Sequence, residues 1–152
     1  EPGESGVMER PPRPPKESIF NKLMIRQVLV SGVLMGLIVF GVWWYLIDIL
    51  KWEEVIARNI ILMLMVLFQN VHTFNCRSEK RSVFKIPIKK NLILFFGVLG
   101  AQLLHTIATY IPFMQKVLGV SPISFKHWLI LLLVASSVLW IMELFKIFKN
   151  KK

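Results

Sequence analysis

The stretch QVLVSGVLMGLIVFGVWWYLI, Gln27 to Ile47, runs from end to end without an Asp, Glu, Lys or Arg, and more than half of it is Leu, Ile, Val or Phe. At about −0.3 to −0.6 kcal/mol each near the centre of a bilayer, those side chains favour insertion by several kcal/mol. As an α-helix the stretch is long enough to cross the ~30 Å of hydrocarbon. Three further charge-free windows follow, Asn59–Asn75, Asn91–Gln115 and His127–Met142. The second extends back toward Glu54, with Arg58 snorkelling to the interface, and the fourth runs on to about Phe148. Soluble bundle helices repeat charge every three or four residues on their outer face, and these windows do not. A secretory signal does not fit either, because the first window is too long and lies behind a Pro-rich segment. The expectation is an all-α, polytopic membrane protein with four spans, at about 22–48, 54–76, 91–113 and 125–148.

The whole chain agrees with that reading. Its 152 residues are 55% apolar and 18% charged, yet Lys+Arg 19 against Asp+Glu 9 gives a net charge of +10. Mean hydropathy is +0.57. Apolar bulk and positive charge therefore occupy different segments. The single cysteine, Cys76, excludes an internal disulfide and a cysteine-based metal cluster. A start at Glu1 rather than Met suits a processed product or a piece of something longer.

The positions of the basic residues orient the spans. Five precede or open span one (Arg10, Arg13, Lys16, Lys22, Arg26), and six lie between spans two and three (Arg77, Lys80, Arg81, Lys85, Lys89, Lys90). Four more end the chain (Lys146, Lys149, Lys151, Lys152), leaving only Lys51, Arg58, Lys116 and Lys126 for the other side. The positive-inside rule then places both termini and the middle loop in the cytoplasm. Basic loops wedged between membrane helices suit anionic lipid head groups, and no nucleic-acid partner is expected.

Residues 1–18 form a Pro-rich cytoplasmic lead segment, and residues 19–152 hold the four-helix membrane domain. Five of the eight prolines lie between Pro2 and Pro15, so this stretch is extended rather than helical. Ser18 is a candidate N-cap for a short lead-in through Ile19, Phe20 and Leu23. In span one, Gly32-x-x-x-Gly36, then Gly41, is a small-residue face on which another helix can pack. Trp43, Trp44, Tyr45 and Trp52 mark the far interface, beside a tight turn near Asp48–Glu53.

Span two ends in a polar run, Gln69, Asn70, His72, Thr73 and Asn75. Three- and four-residue spacing puts Gln69, His72 and Cys76 (or Thr73) on one helix face. Polar groups at that depth face protein or a water-filled cavity, either as cation ligands along an ion path or as plain interhelical hydrogen bonds. Span three carries Gln102 and His105 on one face and closes at Tyr110-Ile111-Pro112. A loop with Gly119 and Pro122 leads to Ser124, a candidate cap for span four, with His127 and Trp128 at the interface. Glu143 is the only acid in the apolar body of span four, within reach of Lys146 or the span-two polar cluster. An interfacial ion pair is its simplest role. There is no Gly-rich phosphate loop, no G-x-S-x-G and no H-E-x-x-H, and the three histidines lie in separate elements. No catalytic residues and no complete metal site are expected; the pattern suits part of a transport machine.

Two motifs go further. Met8-Glu9-Arg10-Pro11-Pro12-Arg13-Pro14-Pro15-Lys16 ahead of a span resembles the segment after the sixth transmembrane helix of P-type cation-transporting ATPases. Gln69-Asn70-Val71-His72-Thr73-Phe74-Asn75-Cys76-Arg77-Ser78-Glu79-Lys80-Arg81-Ser82-Val83-Phe84 resembles the end of the eighth helix and the next cytoplasmic loop in calcium and sodium/potassium pumps. Asn91, Gly97, Tyr110 and Pro112 are similar to the ninth helix of those pumps, and Glu143-Leu144-Phe145-Lys146 to the end of the tenth. The resemblance implies a cell-membrane, multi-pass pump that couples ATP hydrolysis, through an aspartyl-phosphate, to cation movement. ATP and Mg would serve the parent pump and no cofactor this chain, which lacks the Asp-Lys-Thr-Gly-Thr phosphorylation motif, the nucleotide-binding domain and helices four to six. It would then be the C-terminal support domain, partnered by the bilayer, the remaining helices and cytoplasmic domains, and the transported cation.

The family's ion ligands map onto a few positions. At Gln69, endoplasmic-reticulum-type calcium pumps carry Glu, whereas plasma-membrane-type calcium pumps and sodium pumps carry Gln. Gln69 then offers a hard cation a carbonyl oxygen without charge. Sodium pumps have Asp at the His72 position and paired Glu at Gly100 and Ala101, so their third sodium site is not expected here. Calcium, proton and other cations stay open. Two alternatives remain: an independent small four-helix exporter, which would need Glu143 as its essential acid, and a pump-associated subunit.

Overall fold

The computed structural model describes Glu9, Pro12, residues 21–79 and residues 81–150. The rest of the Pro-rich segment, Ser18 and Lys80 lie outside the described residues. The described residues form five α-helices: α1 (Lys22–Trp44), α2 (Glu54–Asn75), α3 (Leu92–Tyr110), the short α4 (Pro112–Leu118) and α5 (Phe125–Asn150). Among the described residues there is no strand. Four helical segments, Lys22–Ile49, Glu54–Asn75, Ile88–Tyr110 and Phe125–Phe148, are long and apolar enough to span a membrane. The protein is an all-α, multi-pass membrane chain.

Helix ends follow local chemistry. Asn21 starts α1, its side-chain oxygen accepting from the Met24 N–H at 2.7 Å, and Asn91 does the same for α3 through Leu94 at 2.9 Å. Each satisfies a donor that the first turn leaves unpaired. Ser124 accepts from the His127 N–H at 3.4 Å at the head of α5. α1 runs into a π-helical turn, Tyr45–Ile49. The chain then reverses through Lys51 at φ 53, and the Trp52 N–H returns to the Leu46 carbonyl at 3.0 Å.

Span three ends at Tyr110, at the Tyr110-Ile111-Pro112 run. Pro112 disfavours the α region for the residue before it, and Ile111 is extended at φ −86, ψ 119. Pro112 then opens α4, where its missing N–H is not needed, and Gly119 at φ 62 closes that helix.

The helices alternate in direction, and α2 is central. It packs most extensively on α5, then on α1, and least on α3. The core is the α2–α5 seam, with Ala57, Ile60, Met63, Leu64, Leu67 and Phe68 on one side and Leu131, Ala135, Val138 and Met142 on the other. Both sets repeat at three and four residues, the spacing of one helix face. Ala57 and Ala135 are fully buried, small side chains that let two backbones approach closely. The far connection is pinned by Asn59, which donates to the Val55 carbonyl at 2.7 Å and accepts from the Ser121 N–H at 2.8 Å.

Candidate functional site

At the end of the bundle that holds the start of α1 and the end of α5, three elements meet on one buried ion pair. Glu143 and Lys146, one turn apart on α5, are 5% and 3% exposed and 3.3 Å apart. Charges this deep are tolerated only when their remaining donors and acceptors are used, and here they are. The Lys146 ammonium donates to the Asn75 carbonyl at 3.0 Å and the Arg81 carbonyl at 3.2 Å. Glu143 accepts from the Val83 N–H at 3.0 Å. The end of α2, the loop after it and α5 are thereby joined.

The same loop is held from α1. Glu79 accepts from the Asn21 amide at 3.1 Å, and the Gln27 amide donates to the Glu79 carbonyl at 2.7 Å. Arg77 donates to the Ile86 and Pro87 carbonyls at 3.2 and 3.3 Å, which folds the loop back on itself. The first half of this basic loop is a hydrogen-bonded plug on the helix ends.

Behind the plug lies a cavity of about 250 Å³ whose lining includes Gln27, His72, Asn75, Glu79 and Lys146. Asn75 is 4% exposed, and neither of its amide atoms has a hydrogen-bond partner among the described residues, nor does His72 Nδ1. Met24, Val28 and Met142 complete its largely apolar lining, and a space of that size beside these polar atoms has room for water as their partner.

The three ion-path candidates from the sequence do not come together. Gln69 is exposed on an outward stripe of α2 with Arg58, Leu62 and Met65. Asn70 points to the third span, its amide donating to the Gln102 side chain at 2.9 Å. His72 turns toward α1 and α5 and lines the cavity. At about 100° per residue, Asn70 is turned well away from the other two, while Gln69 and His72, about 60° apart, sit at the outer edge and the inner edge of one face. Gln102 is further used by Met63 Sδ at 3.4 Å and Thr106 at 3.3 Å, which makes it the anchor of α3; His105 is half-buried.

Glu143 is bonded to Lys146 and to the loop, which removes it as the freely titrating acid an independent exporter would use. Gly32 and Gly36 meet no other helix among the described residues, since a Cβ at either would have nothing within 4 Å. Two features went unread in the sequence: the clamp on Glu79 and the depth of Lys146. The Glu143-x-x-Lys146 spacing signalled the pair, but the run Lys146, Lys149, Lys151, Lys152 disguised its first member as one more solvated tail charge. Among the described residues, no three His, Cys, Asp or Glu side chains converge as a metal site.

Comparison with known proteins agrees with this architecture. Residues 1–148 match the family described as "Cation transporting ATPase, C-terminus". The chain is 30% identical over 146 residues to a "Probable cation-transporting ATPase F" of Mycobacterium bovis, covering 91% of this chain and 15% of that protein. It is 31% identical over 151 residues to "Calcium-transporting ATPase 1" of Schizosaccharomyces pombe, with 96% and 16% covered. To "Calcium-transporting ATPase type 2C member 2" of Rattus norvegicus it is 29% identical over 148 residues, with 97% and 16% covered. The chain thus spans only 15–16% of the length of these relatives.

Proposed function

Because the chain belongs to the family of cation-transporting ATPase C-terminal domains, we propose that it is the four-helix membrane support of a P-type pump, most simply a calcium pump of the plasma membrane. In this reading both termini and the loop 77–91 are cytoplasmic. ATP hydrolysis, with Mg, belongs to the preceding domains. The support domain holds the ion-binding helices in place and lends them one ligand.

The observation that carries the reading is the outward placement of Gln69 on the central helix. A primary amide facing lipid leaves its donors and acceptor unpaired, so polar side chains at that depth face protein or water. Within the pump, the stripe Leu62, Met65 and Gln69 packs on the ion-binding helices, where the Gln69 carbonyl oxygen reaches a hard cation. Gly32 and Gly36 give α1 a second docking face for the same helices. The calcium named in the relatives carries over on this ligand type.

The test uses the full-length pump in sealed vesicles. Gln69→Ala should weaken the apparent calcium affinity of ATP hydrolysis about tenfold, while Gln69→Glu retains it or tightens it. The isolated chain should hydrolyse no ATP. Unchanged calcium dependence in Gln69→Ala would remove the ligand role, and ATPase activity of the isolated chain would remove the support-domain reading.

A further inference from the structure

The seam between α2 and α3 has two sides, and the side away from α5 carries a second polar group beside Gln69. The Asn70 amide donates to the Gln102 side chain at 2.9 Å, so these two positions face each other. Viewed from the end where α2 starts, successive residues of α2 turn clockwise by about 100°, and those of the antiparallel α3 turn anticlockwise. Gln69 then stands about 100° anticlockwise of Asn70, and His105 about 60° clockwise of Gln102. On two facing helices these opposite turns lead to the same side of the seam. Leu99, Leu103 and Thr106 turn the other way from Gln102, and there they share a groove with Phe125 and Trp128 of α5. At about 1.5 Å of rise per residue, Gln69 and His105 start only about 3 Å apart in height. Ala101, exposed on the same side, is small enough for another backbone to come close.

Gln69 is exposed and His105 half-buried, and neither side chain has a hydrogen-bond partner among the described residues. The His105 ring nitrogens, unlike His72 Nδ1, are open to an outside atom. Hydrocarbon offers such groups no partner, so a face bearing two of them is built for protein. Charge selects which protein. With the Gln69 carbonyl oxygen on a hard cation, the Gln69 amide N–H and a His105 ring N–H are left as donors beside it. A divalent cation at this depth needs anionic ligands. α2 and α3 hold no acid except Glu54 in the first turn of α2, and Glu143 is bonded to Lys146 and the loop. The negative charge therefore comes from outside this chain, and two adjacent N–H donors fit the two oxygens of a carboxylate.

We propose that the open side of the α2–α3 seam receives a membrane helix carrying a carboxylate, and that His105 is a positioning residue for that group. The His105 ring N–H and the Gln69 amide donate to the one carboxylate and hold it toward the cation that the Gln69 carbonyl oxygen meets. This rests on the pump reading above, which supplies the cation and the helix, and it adds α3 to a docking surface that otherwise belongs to α2 and α1.

The test is the calcium dependence of ATP hydrolysis by the calcium pump proposed above, in sealed vesicles. His105→Leu should raise the calcium concentration for half-maximal activity about tenfold, the effect of one hydrogen bond to a charged group, and leave the rate at saturating calcium in place. His105→Gln keeps a donor and should restore most of the affinity. Gln69→Ala combined with His105→Leu should lose clearly less than the product of the two single losses, because both side chains serve one carboxylate. Leu104→Ala, on a face of α3 that is 70% exposed, should behave as the parent pump does. If His105→Leu does not assemble, His105→Phe, a ring without a donor, decides in its place. A weakened Gln69→Ala beside an unchanged His105→Leu overturns the inference and leaves the pump reading standing; both unchanged removes both. Equal losses in His105→Leu and His105→Gln, or losses that multiply in the double variant, also overturn it.

Discussion

Spans α2 and α3 are similar in length and both greasy, yet one is the hub of the bundle and the other hangs at its edge. α2 is the least apolar of the four spans and the most buried, whereas α3 is more apolar and almost wholly turned outward. In water the order would be reversed. In lipid, apolar surface gains nothing by leaving the solvent, and helices associate through close packing of small residues and through hydrogen bonds. α2 has these on several sides: Ala57 toward α5, Asn59 toward Ser121, Asn70 toward Gln102, and its Asn75 carbonyl toward Lys146. α3 is held to α2 by the hydrogen-bond anchor at Gln102. Polarity marks the inside of this molecule.

The largest test of that contrast is at the buried pair. Lys146→Met strands the Glu143 carboxylate and frees the Asn75 and Arg81 carbonyls, which should cost about 3–5 kcal/mol. The measurement is chemical denaturation of the chain in lipid nanodiscs, with hydrogen exchange at the Val83 amide to report release of the loop. The double variant Glu143→Leu/Lys146→Met should recover a large part of the loss, because it removes both charges. A double variant as unstable as the single one would mean that the loop bonds, and not the stranded charge, carry the energy. A smaller loss is expected at the seam. Ala135→Leu must be fitted between α5 and α2 where no space exists, at about 1–3 kcal/mol, read in the same denaturation series. If it is neutral, the α2–α5 seam is looser than the buried alanines indicate.

The fold was legible in the sequence because the bilayer imposes it: backbone groups in hydrocarbon must be satisfied within the segment, so charge-free windows of the right length become helices. Partner choice was less legible. Hydropathy separates membrane from water but does not separate lipid-facing from protein-facing sides. Gln69, Asn70 and His72 stood out as polar residues within a span, and spacing placed Gln69 and His72 on one face. The rotation of α2 among unequal neighbours leaves the Gln69 edge of that face exposed and turns the His72 edge to the cavity, and only the packing shows it. The junction at Lys146 was hidden for a different reason. Its lysine belongs by sequence to a basic tail, and its partners are main-chain carbonyls of Asn75 and Arg81, which carry no sequence signature.

The edge helix gives a smaller effect. Gln102→Leu removes the acceptor for the Asn70 amide, and membrane hydrogen bonds of this kind average about 0.6 kcal/mol. Stability of the whole chain should barely move, but spin labels on α3 and α2 should show a broader distance distribution. Asn70→Leu alone should give the same broadening. A loss as large as that of Ala135→Leu would mean that α3 belongs to the core after all and that the contrast with α2 is overstated.

The smallest effect on this chain is expected at the glycine face of α1, where it separates packing within the chain from packing beyond it. A Cβ at Gly36 meets nothing within 4 Å, and leucine is the better helix former by roughly 0.5–1 kcal/mol. Gly36→Leu should therefore leave the isolated chain unchanged or slightly more stable. The same substitution in the calcium pump proposed above should block close approach of a neighbouring helix and lower calcium-dependent ATP hydrolysis. Loss of stability in the isolated chain would expose a contact between copies of this chain through that face, checked by its mass in detergent. Full activity of the pump carrying Gly36→Leu would assign the glycine face to lipid, leaving the Gln69 stripe of α2 as the docking surface.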